Sequence, residues 1–431
     1  MSTRGCIAMI LAGGRGERLG TLTSHYPKSA VHFGGKHRII DYTLSNCTRS
    51  RIDTVGILSQ YLCDDLQAYI YGSYEGAPEH SDVYMLSPQN KRDPYRGTAD
   101  AVYKNIEFIE RFDPECVLIL SGDHIYSMDY NEMIEFHKAT GAAVTVASTQ
   151  VTINEATRFG IFNADENGRV YGFEEKPKRP KSCLASMGIY AFKWSALKQY
   201  LLMDSVSILT KRDFGGDILP KMLRMGESIY TYRFDGYWQD VGTVSSLWQA
   251  NMDLIDDPAA RQIQDNEWIS QVSYANNTPD FVASGAVVGQ SIMAGECSIL
   301  GDVEHSVLSD SVTVSRGAEV VNSVVMPGAY IGSNVKIYNA VIGTGSVILD
   351  SAEIGADNGL DFFVDRDICA RDVSLVSPWA CVAEGMVFQS GSHIYNQRLE
   401  EWLAGMDTKM DENRFSVHHG QHAFIHQMSV V

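Results

Sequence analysis

Gly13-Gly14-Arg15-Gly16 interrupts an apolar run, residues 6–12, and is followed by Arg18 and, ten residues further, by Lys28. Glycines let a backbone pass close to a ligand, and N–H groups bared at the end of a buried strand form a concavity for anions. Arg18 adds a fork of donors and Lys28 a point charge, the chemistry that a triphosphate or pyrophosphate requires. The spacing is neither the dinucleotide G-x-G-x-x-G nor the P-loop with its Gly-Lys-Ser/Thr ending. A tight turn beside a solvated arginine is the alternative reading. Asp123 follows a second apolar run, residues 117–120, within Ser121-Gly122-Asp123-His124. A carboxylate there can hold a divalent cation beside a nucleotide, because Mg²⁺ takes one or two carboxylates plus phosphate oxygens. A turn or helix-capping aspartate is its alternative. Glu174-Glu175-Lys176-Pro177 reads by itself as a solvated strand end.

These residues need a scaffold that delivers them to one place. Residues 1–255 alternate strand and helix. Strands are expected over 6–12, 54–59, 116–120, 143–148 and 230–234, and helices over 38–49, 64–71, 99–109 and 128–138. Residues 72–97 form a long connection rich in Gly, Pro and charge. Such alternation gives a Rossmann-like α/β domain with a mostly parallel sheet, with ligands at the C-terminal ends of its strands. Asp123 falls at such an end.

A repeat marks a second domain. Val288, Val303, Val320 and Ile337 recur at intervals of 15, 17 and 17 residues, and Ile299, Val314, Ile331 and Ile348 keep the same intervals. Short strands stacked in this way make a β-helix. The expected division is a catalytic domain over 1–255, a linker over 256–280, a β-helix over 281–390 and a tail over 391–431. The repeat is expected to fade after about residue 355, with 375–387 pairing as further strands and 395–405 forming a short helix. The histidines at 418, 419, 422 and 426 match no standard metal spacing, and the tail reads as disordered or packing sequence.

The net charge of −18 over 431 residues argues against nucleic acid as a partner, so an anionic substrate must be met by a local basic pocket. Eight scattered cysteines form no CxxC pair and read as reduced core residues of a cytoplasmic protein. No apolar stretch reaches the ~18–20 residues of a membrane span, and the start of the chain shows no leader pattern.

Leu11-Ala12-Gly13-Gly14-x-Gly16-x-Arg18-Leu19 with Lys28 resembles the signature of sugar-nucleotide pyrophosphorylases. The continuation from Ala30 through His32, Gly34-Gly35-Lys36 and Arg38 to Asp41 resembles the glucose-1-phosphate adenylyltransferases of bacterial glycogen synthesis. Tyr95-Arg96-Gly97-Thr98-Ala99, Ser121-Gly122-Asp123, Glu175-Lys176 and Trp238-x-Asp240-Val241-Gly242 continue the likeness in the family's order. The resemblance implies a left-handed β-helix and an Mg²⁺-assisted transfer of the adenylyl group of ATP to α-D-glucose 1-phosphate. It implies that Gly13, Gly14 and Gly97 lie near the nucleobase, and that Arg18 and Lys28 meet the ATP phosphates. Tyr95, Gly160, Glu175, Lys176 and Ser186 would hold glucose 1-phosphate, and Asp123 and Asp240 the metal. It further implies a homotetramer, or a hetero-oligomer with a related subunit, and allosteric control. His32 and Arg38 resemble inhibitor contacts of some members, whereas His25 and Tyr26 stand where activated members carry a basic residue. A catalytically silent subunit and a UTP- or dTTP-using pyrophosphorylase are the alternatives.

Overall fold

The computed structural model describes residues 5–74, 81–88, 92–264, 279–356 and 372–395. The 391–431 tail, with its helix and histidine readings, lies outside the described residues beyond 395. The catalytic half is built on β1 (Cys6–Leu11), whose first five residues are buried, since both faces of the sheet are covered. Helix α1 (Ile39–Arg49) leads to β2 (Thr54–Leu58), and α2 (Cys63–Tyr74) to β3 (Asp82–Leu86). Helices α3 (Thr98–Tyr103) and α4 (Ile106–Glu110) precede β4 (Cys116–Ser121). Next come β5 (His124–Tyr126), α5 (Tyr130–Thr140), β6 (Val144–Gln150), β7 (Gly160–Ala164), β8 (Val170–Glu175) and the long β9 (Leu184–Lys193). Helices α6 (Trp194–Ser205) and α7 (Leu219–Arg224) lead to β10 (Ile229–Arg233) and β11 (Trp238–Asp240), and α8 (Val244–Asp256) and α9 (Pro258–Gln264) end this half.

The sheet runs β8-β7-β9-β4-β1-β2-β3, with β6 and β10 attached beside β9. Strands β3, β2, β1 and β4 are parallel, as are β6 and β10. Strand β9 runs antiparallel to β4, β6 and β7, which makes the sheet mixed.

The structure revises several expectations. The 72–97 connection contains β3, an edge strand that sequence alone hides because it is only half-buried. The expected 99–109 helix is two pieces, broken where Asn105 turns its amide back to the Ala101 carbonyl at 2.8 Å. Helix α5 starts two residues later than expected, where Asp129 accepts from the Asn131 N–H at 3.0 Å and caps it. The start of the 256–280 segment is helical, with Ala260 and Ile263 of α9 buried; residues 265–278 lie outside the described residues.

The C-terminal half is a left-handed β-helix of three six-stranded parallel sheets. The Val288–Val303–Val320–Ile337 column continues through Ile354 to Phe388. The Ile299–Val314–Ile331–Ile348 column continues to Val382. The third column runs Ile292–Val307–Val324–Val341–Leu375–His393. The repeat therefore does not end near 355; residues 357–373 separate a strand of one sheet from a strand of the next, and the coil resumes in register. Val307, Val324, Val341 and Leu375 share a buried cluster with Leu247 and Val244 of α8, and with Leu19 and Leu22. Trp248 Nε1 donates to the Asn322 carbonyl at 2.7 Å across the same boundary. Among the described residues no helix is long and apolar enough to cross a membrane. Among the described cysteines, Cys6, Cys47, Cys116 and Cys297 are buried, whereas Cys381 is exposed, against the expectation of core placement.

Candidate active site

The loop after β1 folds on itself through Gly16, at φ 68°, where a Cβ would stand 2.9 Å from Thr23 Cγ2 and 3.0 Å from Lys28 Cβ. The absence of a side chain there lets Lys28 run beneath the loop. Lys28 is 7% exposed, and its Nζ donates to Asp123 Oδ2 at 2.8 Å and to Asp240 Oδ1 at 3.1 Å. Asp123 follows β4, and Ser121 Oγ donates to its other oxygen. Asp240 is 117 positions away in sequence, and a single feature brings it in: β11 pairs antiparallel with β5, setting Asp240 opposite His124. The motif glycine serves this approach, because a Cβ on Gly242 would meet Arg18 Nη2 at 2.9 Å and Asp240 Oδ1 at 3.0 Å.

Charge holds the arrangement. Burial alone would raise the Asp123 carboxyl; the charges of Lys28 and His124 and the hydrogen bonds from Lys28 and Ser121 outweigh it and hold it well below the usual range. Burial would likewise lower Lys28, and the two carboxylates raise it instead. Asp123, His124 and Asp240 offer ligand atoms within 4.8 Å of one another. Two carboxylates beside an imidazole, already drawing a cation between them, fit a divalent ion.

A cleft of about 580 Å³ opens beside this cluster. Arg18, Gly160, Glu175, Lys176, Ser186 and Asp240 all line it, so the structure brings these six sequence-predicted residues together. Glu175 fits because its neighbours have no side chains: a Cβ on Gly160 would lie 3.0 Å from its Oε2, and one on Gly215 2.9 Å. Burial raises the Glu175 carboxyl, Asp213 adds to the rise, and Lys176 opposes it. Lys176 is held at φ 46°, an unfavourable conformation for a residue with a Cβ, with its N–H bonded to the Phe159 carbonyl at 3.1 Å. Ser186 sits where β9 slips register against β6, and its Oγ accepts from the Gly188 N–H at 3.2 Å.

Other predicted residues lie elsewhere. Tyr95 does not line the cleft; its ring is buried, and its hydroxyl donates to the Leu86 carbonyl at 3.3 Å and accepts from Asn105 Nδ2 at 3.0 Å. Gly97 is required by the chain itself, since a Cβ would stand 2.4 Å from the carbonyl oxygens of both Lys211 and Arg212. Gly13 and Gly14 have room for a Cβ among their own neighbours, so the protein's packing does not demand glycine there. His32 and Arg38 occupy a separate place, with the Arg38 guanidinium 3.9 Å from the ring centre of Tyr69. Burial and the charge of Arg38 push His32 down to about 3.

Sequence reasoning assigned no role to His124, Asp213, Gly215 or Gly242, which complete the cleft and its metal-competent corner. The signal for His124 was its adjacency to Asp123 after a buried strand; for the glycines it was their place beside charged motif residues.

The nucleotidyl transferase family profile matches residues 7–257, and the GlmU-like C-terminal hexapeptide profile matches residues 278–376. A glucose-1-phosphate adenylyltransferase of Bacillus cytotoxicus is 48% identical over 361 residues, 83% of this chain and 96% of the relative. Proteins of the same name from Bacillus mycoides and Bacillus anthracis are 47% and 46% identical over the same shares. With the transferase profile covering Lys28, Asp123 and Asp240, and relatives of this identity along most of its length, the chain belongs to the glucose-1-phosphate adenylyltransferase family.

Proposed function

We propose that this chain transfers the adenylyl group of ATP to α-D-glucose 1-phosphate, giving ADP-glucose and pyrophosphate for α-glucan synthesis. The observation that carries the reading is the Lys28 ammonium held between Asp123 and Asp240, beside a cleft that also presents Arg18, Glu175 and Lys176. A phosphate oxygen of glucose 1-phosphate attacks the α-phosphorus of ATP in line; the bond from that phosphorus to the β-bridging oxygen breaks, and pyrophosphate departs. The nucleophile is already anionic near neutral pH, so no residue has to remove a proton. The chain's task is positioning and charge neutralisation.

In this reading Arg18 and Lys28 meet the β- and γ-phosphates, and the base lies over Gly13 and Gly14, with Gly97 supporting the adjoining loop. Lys176 meets the phosphate of the sugar, Glu175 and Ser186 its hydroxyls, and Gly160 leaves room for the ring. Tyr95 acts as a positioning residue from behind the cleft, since its hydroxyl is committed to Leu86 and Asn105. Asp123 and Asp240 would hold Mg²⁺, which when bound supplies positive charge to the phosphate oxygens. A homotetramer in the cytoplasm is the assembly and location that the family resemblance supports.

The test is pyrophosphate release from purified protein with Mg²⁺ and glucose 1-phosphate, offering ATP, UTP, dTTP, GTP and CTP separately. Strong preference for ATP is expected. Preference for UTP or dTTP would replace the assigned nucleotide, and silence with all five from folded protein would make the chain a non-catalytic subunit.

A further inference from the structure

Two segments that line the cleft, the start of α3 with Thr98 and the segment that carries Asp213, Phe214 and Gly215, are fastened together by residues that do not line it. Asp100 of α3 is 1% exposed, and its Oδ1 accepts from Arg212 Nη1 at 2.7 Å. Its Oδ2 accepts from the Arg96 N–H at 3.0 Å, so one buried carboxylate ties the start of α3 to the segment before α7. The second arm of the Arg212 guanidinium donates to the Ser205 carbonyl at 2.8 Å, at the end of α6. The Arg212 carbonyl accepts from the Ala99 N–H at 2.8 Å, Thr98 Oγ1 donates to Asp213 Oδ2 at 3.0 Å, and the Phe214 N–H donates to Thr98 Oγ1 at 3.1 Å. Arg212 itself sits at φ 59°, a conformation that has to be held in place. Arg212 does not line the cleft, but the three residues that follow it do.

We propose that Asp100 and Arg212 are a positioning pair for the sugar-phosphate half of the site. They fix residues 211–215 against α3, so that Asp213, Phe214 and Gly215 form the wall against which Glu175 is set. The inference rests on the adenylyl-transfer reading of the cleft. The two sides are unequally anchored. Ala99, Ala101 and Val102 of α3 are buried in the main core, whereas the chain entering Arg212 lies open, with Val206, Ile208 and Leu209 at 81%, 96% and 91% exposure; past it, the Lys211 and Asp213 N–H groups each donate to Asp217 Oδ2 at 3.0 Å and Phe214 is buried. When the pair is cut, the 211–215 side yields. Because a Cβ on Gly215 would lie 2.9 Å from Glu175 Oε2, movement of that wall changes the seat of Glu175 directly. Gly97 stays with the buried α3, and the loop after β1 that carries Gly13, Gly14 and Arg18 is left in place.

The test is Arg212→Ala in steady-state pyrophosphate release, beside wild type and Arg212→Lys. The expected result is a rise of at least fivefold in KM for glucose 1-phosphate, a KM for ATP within twofold of wild type, and a lower kcat. Guanidinium ion at tens of millimolar, filling the space of the lost side chain, is expected to bring the KM for glucose 1-phosphate back toward wild type. Arg212→Lys keeps the charge but cannot span Asp100 and the Ser205 carbonyl together, and is expected to show a smaller rise in the same KM. Wild-type constants in Arg212→Ala overturn the proposal, as does a loss of kcat with both KM values unchanged and no rescue, which is the mark of a merely structural residue. Should Arg212→Ala not fold, Arg212→Lys decides alone, and wild-type KM values there overturn the proposal. Wild-type protein inactive with every nucleotide refutes the adenylyl-transfer reading itself, and the inference with it; active wild type with an unaffected variant refutes the inference only.

Discussion

Replacing Lys28 by methionine removes one ammonium and leaves two carboxylates facing each other. At an effective dielectric near 20, the 2.8 and 3.1 Å contacts to Asp123 and Asp240 correspond to about 6 and about 5 kcal/mol of gross attraction. Most of this is offset by the desolvation of the three groups. Removing one partner of a buried pair costs about 3–5 kcal/mol, and the side-chain exposures of 32% for Asp123 and 17% for Asp240 place this case lower, at about 2–3 kcal/mol. Lys28→Met is therefore expected to unfold at lower urea concentration than wild type in metal-free buffer. Added MgCl₂ should then restore more stability to the variant than to wild type, because the ammonium no longer competes for the same oxygens. At a free Mg²⁺ concentration ten times the variant's Kd, the gain is about 1.4 kcal/mol. Turnover should still fall by about 10²–10³-fold, since a metal-stabilised fold lacks the charge expected to meet the phosphates. The assay is a urea titration followed by tryptophan fluorescence, with and without MgCl₂. Equal metal stabilisation of the two proteins, or a variant as stable as wild type without metal, would refute the reasoning.

Asp123→Asn should lower pyrophosphate release by about 10²–10³-fold while the far-ultraviolet circular dichroism is unchanged; full retention of kcat would sink the metal assignment. Burial, helped by Lys138 and Lys193, lowers His137 from 6.5 to about 4, and its Nδ1 lies 2.9 Å from Thr145 Oγ1. Below pH 6.5 the unfolded chain takes up a proton that the folded chain refuses, so stability contributed at neutral pH is lost as pH falls toward 4, on the order of 3 kcal/mol. His137→Phe should flatten the urea midpoint against pH in that window, and parallel profiles would count against burial as the cause. In the β-helix, Ser306 Oγ accepts from the buried Ser323 N–H at 3.0 Å and donates to the Glu304 carbonyl at 2.8 Å. Ser306→Ala should cost about 1–3 kcal/mol for the orphaned N–H, whereas Ser311→Ala, whose hydroxyl meets Glu296 in the open, should change stability by less than about 0.5 kcal/mol; equal losses would refute the ladder's role.

Local chemistry was legible in the sequence wherever it lay within one segment. The glycine-rich turn after β1 and the carboxylate after β4 each announce themselves within a dozen or so residues, and the columns of the β-helix by their interval of 15 to 17 residues. What escaped depends on contacts between distant segments. Nothing in three-residue strands at 124–126 and 238–240 says that they pair, yet that pairing sets Asp240 beside Asp123. The family likeness sets Gly97 near the nucleobase, and nothing in the sequence shows that the backbone of 211–212 also demands a glycine there. The family likeness sets Tyr95 at the sugar, and nothing in the sequence shows that its hydroxyl is committed to Leu86, in a strand that the charged connection concealed. The resumed coil escaped because periodicity is a statement about fixed intervals, and residues 357–373 break the interval without breaking the stack.

That last break has a consequence for how such a chain can change over generations. Leu375 pairs with Val341, and Phe388 with Ile354, as though the intervening stretch had no length. A corner of the solenoid is thus a place where sequence can be gained or lost without shifting any column on either side. A new module, such as a binding loop or a fused tag, could be grafted there while the register that presents Val307, Val324, Val341 and Leu375 to α8 is inherited intact.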